Sequence, residues 1–345
     1  MLFRWLCITA LVVATTIHAT EPPTGFPKEI IEIRYPVPED ESHQPALFWS
    51  PTLAEGESAP LLVALHTWSG DYRQQGGQVL YANWCLANDW IFLHPNFRGR
   101  NNTPEAMGSD LVIADIRAAV EWAKKNAAVD EDRIYAMGGS GGGHAALLLA
   151  GRLPNIWAGV SAWCPITSIT DWHAETSGSE FEHYARHIEA ALGGPPGVAT
   201  PQREQAEHRS PLTWLTAAQS IPLDINHGIH DGKSGSVPFT HSLHAWNTIV
   251  PKDQQLSEDS IDLFYTTQKS PEPKPNADSL YGTRQPVFRR THKNTRVTVF
   301  EGGHEIIHLA GLNWLAAQHK GTPANWEPEK VSDLDASDAD TESGK

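Results

Sequence analysis

Residues 132–153 read DRIYAMGGSGGGHAALLLAGRL. Ile134 to Met137 forms a short strand pattern, and the run from Gly141 is a helix of small and apolar residues. Only glycines and Ser140 separate the two, so the chain must turn from strand to helix within a few residues. Glycines on both sides of such a turn keep neighbouring backbone from colliding. A helix starting there also points its unpaired backbone N–H groups at whatever lies beside Ser140.

The surrounding pattern alternates strand and helix. EIIEIRY and ALFWS suit an opening hairpin, whereas PLLVALH (60–66) and DWIFLHP (89–95) are continuous apolar runs, as expected of central strands covered on both faces. QGGQVLYANWCLAND supplies a helix between them, and SDLVIADIRAAVEWAKKN is amphipathic, with Ser109 or Asp110 at its start. IWAGVSAWCP and IPLDINHG are further strands, VPFTHSLHAWNTI a helix, and VFRRTHKNTRVTVFEGG a late hairpin or strand before a helix expected from about Glu305. Regularity fails between Asp171 and about Ser210, a polar, partly helical insertion placed to act as a cap. This order predicts an α/β fold with a mostly parallel central sheet, helices on both faces and a small cap insertion.

At the N-terminus, Arg4, an apolar run and small residues up to Ala19 suit a signal peptide over residues 1–19 and a secreted or periplasmic protein. The expected catalytic domain covers 20–329, and residues 330–345 form an acidic segment expected to be disordered. A net charge of −15 without basic runs argues against nucleic-acid partners and against stable membrane association after signal cleavage. Beyond residue 19 the cysteines are Cys85 and Cys164, both in apolar and aromatic surroundings that suit buried free thiols.

Gly138, Ser140 and Gly142 spell G-x-S-x-G in the strand–turn–helix context that a serine nucleophile requires. Such a serine needs a base and an orienter from other strand ends. Asp231 follows IPLDINHG and His304 follows VTVFEGG, which gives the chain order Ser, Asp, His. Asp171 is the rival orienter, also just past a strand.

Taken together, GGSGGG, HGIHD, GGH and, more weakly, PNFRGR resemble the catalytic domain of the prolyl oligopeptidase family within the α/β-hydrolases, over roughly residues 55–320. The resemblance implies the α/β-hydrolase fold with Ser140 as nucleophile, Asp231 as orienter and His304 as base. The Gly141 amide is the natural oxyanion donor. The run HTWSGDY departs from the glycine-rich pattern of many relatives, so the second donor is expected from Thr67 or Trp68. No propeller-like region precedes the domain, so an esterase acting on small, possibly saccharide, esters is expected at least as much as a short-peptide peptidase. No cofactor or metal is expected.

Two competing readings stay open: a non-catalytic binding protein on the same fold, and a zinc hydrolase. His304, Glu305 and His308 spell H-E-x-x-H, but Gly302 and Gly303 place His304 at a helix entrance, Trp314 stands where one extended zinc motif has its third histidine, and Glu327 lies in a proline-broken segment. Glu305 is then a first-turn acid and His308 a packing residue. Among the 17 histidines, His227 and His230 read as structural and His241 with His244 as a surface pair. Arg98 suits substrate binding or a salt bridge equally. Trp68 and Trp172 are placed to line a cleft.

Overall fold

The strand Ala59–Leu65 (β3) is buried along its whole length, because successive side chains enter two different cores. Leu61, Val63 and Leu65 belong to one apolar cluster, and Leu62 and Ala64 to another. In the computed structural model, which describes residues 24–328, β3 lies inside a nine-stranded sheet. The expected signal peptide (1–19) and acidic segment (330–345) lie outside the described residues.

The hairpin Ile31–Val37 (β1) and Ser42–Trp49 (β2) is antiparallel, and β2 continues antiparallel onto Ile91–Pro95 (β4). From β4 the sheet runs parallel through β3, Val129–Gly139 (β5), Gly159–Trp163 (β6), Leu223–Gly228 (β7) and Thr295–Phe300 (β9). Pro286–His292 (β8) closes the far edge antiparallel to β9. The strand order is β1-β2-β4-β3-β5-β6-β7-β9-β8. The chain therefore leaves β3 first to one side and then to the other, and open α/β sheets form their crevice at the carboxyl ends of strands around such a switch.

Helices cover both faces. Gly77–Ala87 (α1) and His308–Ala316 (α9) contribute to the core that receives Leu62. Asp110–Asn126 (α2), Gly141–Arg152 (α3), Thr240–Ile249 (α7) and Glu258–Thr267 (α8) contribute to the other. Ser109 caps α2 by accepting from the Val112 amide, with Asp110 in the first turn and Lys124 and Lys125 in the last, matching the helix dipole. The insertion forms Ile169–Thr176 (α4), Glu182–Leu192 (α5) and Pro201–His208 (α6). Its apolar side packs with Trp68, Met107 and Val237 into a small third cluster. Among the described residues no helix is long and apolar enough to cross a membrane.

Two elements differ from expectation. The last helix begins at His308, not near Glu305. The Glu305 carboxylate accepts from the Gly303 amide at 3.0 Å and from Arg284 at 3.0 Å, which holds the segment before the helix in a turn and removes Glu305 from a first-turn role. Helix α8 was not expected, although Ser257 caps it by accepting from the Ser260 amide and Glu258 and Asp259 fill its first turn, a readable start signal.

Candidate active site

Ser140 joins β5 to α3 with φ 56° and ψ −120°, a conformation that L-residues rarely adopt. The turn is compressed between neighbouring strand ends. A β-carbon at Gly142 would lie 2.6 Å from the Leu65 carbonyl oxygen, and one at Gly141 would lie 2.3 Å from the Trp68 backbone nitrogen. The Ser140 amide donates to the Trp163 carbonyl at 2.8 Å, which ties the turn to the end of β6.

The carboxyl ends of β7 and β9 carry the next two groups. Strand-like pairing continues past both ends, with the Ile229 amide donating to Phe300 and the His230 amide to Gly302, each at 2.9 Å. This zipper brings the loops of Asp231 and His304 together. Asp231 is fully buried, and His304 Nδ1 donates to its Oδ2 at 2.6 Å. The Gly232 and Val237 amides donate to Oδ1 at 3.0 and 3.2 Å. His227 Nε2 donates to Oδ2 at 2.9 Å.

The electrostatics follow from burial and pairing. Desolvation would raise the Asp231 pKa, but the charge of His304 and the bonds from His227 and His304 outweigh it, so the carboxyl stays below its ordinary range. Burial would lower the His304 pKa, and the facing Asp231 carboxylate reverses this, leaving the imidazole above an ordinary histidine. With Nδ1 committed to Asp231, Nε2 is the nitrogen left for proton transfer. Among the described residues no direct hydrogen bond joins Ser140 to His304. Their neighbours pack together: a β-carbon on Gly139, next to Ser140, would lie 2.3 Å from the side chain of Ile306, two residues past His304. Bonds of this kind often tighten only when substrate is bound.

Of the two expected second oxyanion donors, the Thr67 amide is occupied, donating to Gln74 Oε1 at 3.0 Å. The Trp68 amide, by contrast, lies directly against Gly141. Trp68 and Trp172 do not line an open cleft. Both are buried, their rings meet edge to face at 4.7 Å, and Trp172 Nε1 donates to the Ser236 carbonyl at 2.7 Å. Arg98 is no free substrate ligand either. Its guanidinium donates to both Asp115 oxygens at 2.7 and 2.8 Å and to Asp40 at 2.7 Å. Asp171 is exposed on α4, where its amide donates to Ser168 Oγ, and it takes no part in the pair at His304.

The H-E-x-x-H residues do not converge. A β-carbon on Gly77 would lie 2.3 Å from His308 Nε2, so that ring is packed against α1, and Glu327 is exposed. Among the described residues, the side chains close enough to share a metal are instead Cys164, Asp231 and His304, with ligand atoms within 4.8 Å of one another. Cys164 and Cys85 are both buried and free. His241 is also buried: the Thr167 amide donates to its Nδ1 at 3.1 Å and Nε2 faces Glu175 at 3.0 Å, linking α7 to the insertion, so only His244 remains at the surface.

The parallel sheet, the strained serine between strand and helix, and the Asp–His pair on later strand ends define an α/β-hydrolase. Within that class, residues 82–262 match the prolyl oligopeptidase family, peptidase family S9, and the chain belongs to it. The dipeptidyl aminopeptidase BIII of Pseudoxanthomonas mexicana is 29% identical over 188 residues, which are 50% of this chain and 25% of that protein. The chain thus spans about a quarter of the length of this curated relative. Among solved structures, an acylaminoacyl peptidase of Pyrococcus horikoshii superposes over 87% of this chain and 43% of its own, with a TM-score of 0.56 and 14% identity. A puromycin-hydrolyzing peptidase of Mycobacterium tuberculosis covers 84% of this chain and 39% of its own, with a TM-score of 0.54 and 17% identity. At such identities these two establish the shared fold.

Proposed function

We propose that the chain is a serine hydrolase working by acyl transfer, with Ser140 as nucleophile, His304 as general base and acid, and Asp231 as its orienter. Ser140 Oγ attacks a carbonyl carbon while its proton passes to His304 Nε2, and Asp231 stabilises the imidazolium that forms. The carbonyl oxygen, now negative, accepts from the Gly141 and Trp68 amides. The leaving group takes the proton from His304, and water then repeats the sequence on the acyl-enzyme. No step calls for a metal or organic cofactor.

The observation that carries this reading is the 2.6 Å Asp231–His304 bond on the strand ends beyond the strained Ser140 turn. Substrates are short peptides or small esters, including saccharide esters. That a dipeptidyl aminopeptidase is among the relatives supports peptides among the substrates. The apolar N-terminal run further suggests action outside the cytoplasm, checked by sequencing the N-terminus of the mature protein.

A fluorophosphonate probe is expected to label the wild type with or without chelator and to leave Ser140→Ala unlabelled. Labelling that persists in Ser140→Ala sinks the reading, and activity lost to chelator with stoichiometric bound zinc favours the metal alternative. Acetyl and feruloyl esters compared with acylated and free dipeptide anilides assign the bond cleaved.

A further inference from the structure

Asp231 Oδ2 accepts from two imidazoles, not one. The second belongs to His227, which is fully buried at the end of β7. Its Nε2 lies 2.9 Å from Asp231 Oδ2 and 3.0 Å from the Val237 carbonyl oxygen. Both are acceptors, so Nε2 carries the proton. Its Nδ1 lies 2.8 Å from Ser242 Oγ and accepts from that hydroxyl. The tautomer is thereby fixed, and burial keeps the ring neutral by disfavouring its charged form. Val237 anchors the arrangement twice, accepting from His227 through its carbonyl and donating to Asp231 Oδ1 through its amide.

We infer that His227 is a positioning residue that both fixes the Asp231 carboxylate and limits how strongly that carboxylate holds a proton on His304. A carboxylate oxygen that already accepts one N–H has less charge to offer the next. The Ser242–His227–Asp231–His304 chain therefore sets the basicity of His304, and this inference rests on the proposed role of His304 as base. Other titratable groups near Asp231 do not perform this function. Burial pushes up the Cys164 thiol and the Tyr184 and Tyr265 phenols, with the Asp231 charge adding to it at Cys164 and Tyr184 and the Glu175 charge, then Asp231, adding to it at Tyr265, so all three stay neutral through the working range. His230 is turned away, 2.7 Å from Glu301.

The sign follows directly. Removing the His227 donor leaves more of the Asp231 charge facing His304, so the imidazolium is better stabilised and the His304 pKa rises. Histidine NMR titration in Ser140→Ala protein reads this pKa without turnover, so it stands apart from whether hydrolysis is found. His227→Leu is expected to raise the His304 pKa by about half a unit or more. His227→Gln, which restores an N–H donor toward the carboxylate, is expected to bring it most of the way back. With Ser140 intact and p-nitrophenyl acetate as substrate, the acid limb of kcat/KM moves up equally, about a threefold loss on the acid side per half unit. Should His227→Leu not fold, Ser242→Ala carries the test, because it weakens the same donor and is expected to shift His304 in the same direction. An unchanged His304 pKa in a folded His227→Leu or Ser242→Ala protein, or a His227→Gln shift as large as that of Leu, overturns the inference.

Discussion

The Gly141 α-carbon and the Trp68 backbone nitrogen approach so closely that a β-carbon at 141 would sit 2.3 Å from that nitrogen. This contact brings an amide of the loop after β3 to the N-terminus of α3, where two donors can face one oxyanion. Gly141→Ala must push the Trp68 segment away. It is expected to lower kcat/KM about 100-fold or more, as losing one oxyanion donor does, and to cost about 1–3 kcal/mol of stability through overpacking. Ester hydrolysis and thermal melts on the same preparation measure both.

His304 titrates above an ordinary histidine because the Asp231 carboxylate favours its charged form more than burial opposes it. As the proposed general base His304 works in its neutral form, so activity is expected to fall as pH drops through this raised pKa, with the acid limb above that of an ordinary histidine. Asp231→Asn removes the charge and lets His304 adopt the wrong tautomer. The expected loss is roughly 10⁴-fold in kcat, with the remaining acid limb moved to lower pH. A limb at the same pH in wild type and Asp231→Asn shows that another group is being titrated.

What could be read from the sequence divides by the range of the interaction. The runs of β3 and β4 announced buried central strands because burial on both faces leaves a continuous apolar signature. Ser140 carried its own local context of strand, glycines and helix, and GGH separated His304 from a zinc helix. Features set by distant partners stayed hidden. Arg98 meets Asp40 and Asp115, 58 and 17 residues away, and His241 meets Glu175, 66 residues away. The burial of Trp68 and Trp172 arises only when the insertion folds over the β3 loop. His227 is legible as a residue near Asp231, but its tautomer depends on Ser242, fifteen positions later.

Cys85 and Cys164 are buried and unpaired, and burial pushes both thiols well above their ordinary range, so little thiolate is present at neutral pH. Native protein is expected to react slowly with a disulfide reagent such as DTNB at these two positions, and both react fully after unfolding in guanidinium. Rapid native reaction at Cys164, located by peptide mapping, would reveal an opening beside Asp231 and His304 that the packed structure lacks.

Arg98 provides the sharpest separation of a structural role from substrate binding. Asp115 beneath it is fully buried, and burial raises its carboxyl pKa to about 6 even with the Arg98 guanidinium alongside pulling it down. Arg98→Met leaves that carboxylate without its cation, and breaking a buried pair on one side costs about 3–5 kcal/mol. The variant raises the folded-state pKa of Asp115 further above its unfolded value, so its stability is greatest when Asp115 is protonated and is lost as pH rises through the raised pKa. The deficit relative to wild type is therefore expected to widen between about pH 5 and pH 8. Urea unfolding across that range measures it, and KM for a small ester is expected to stay near wild type in the folded fraction. A large rise in KM with stability unchanged would instead return Arg98 to the substrate.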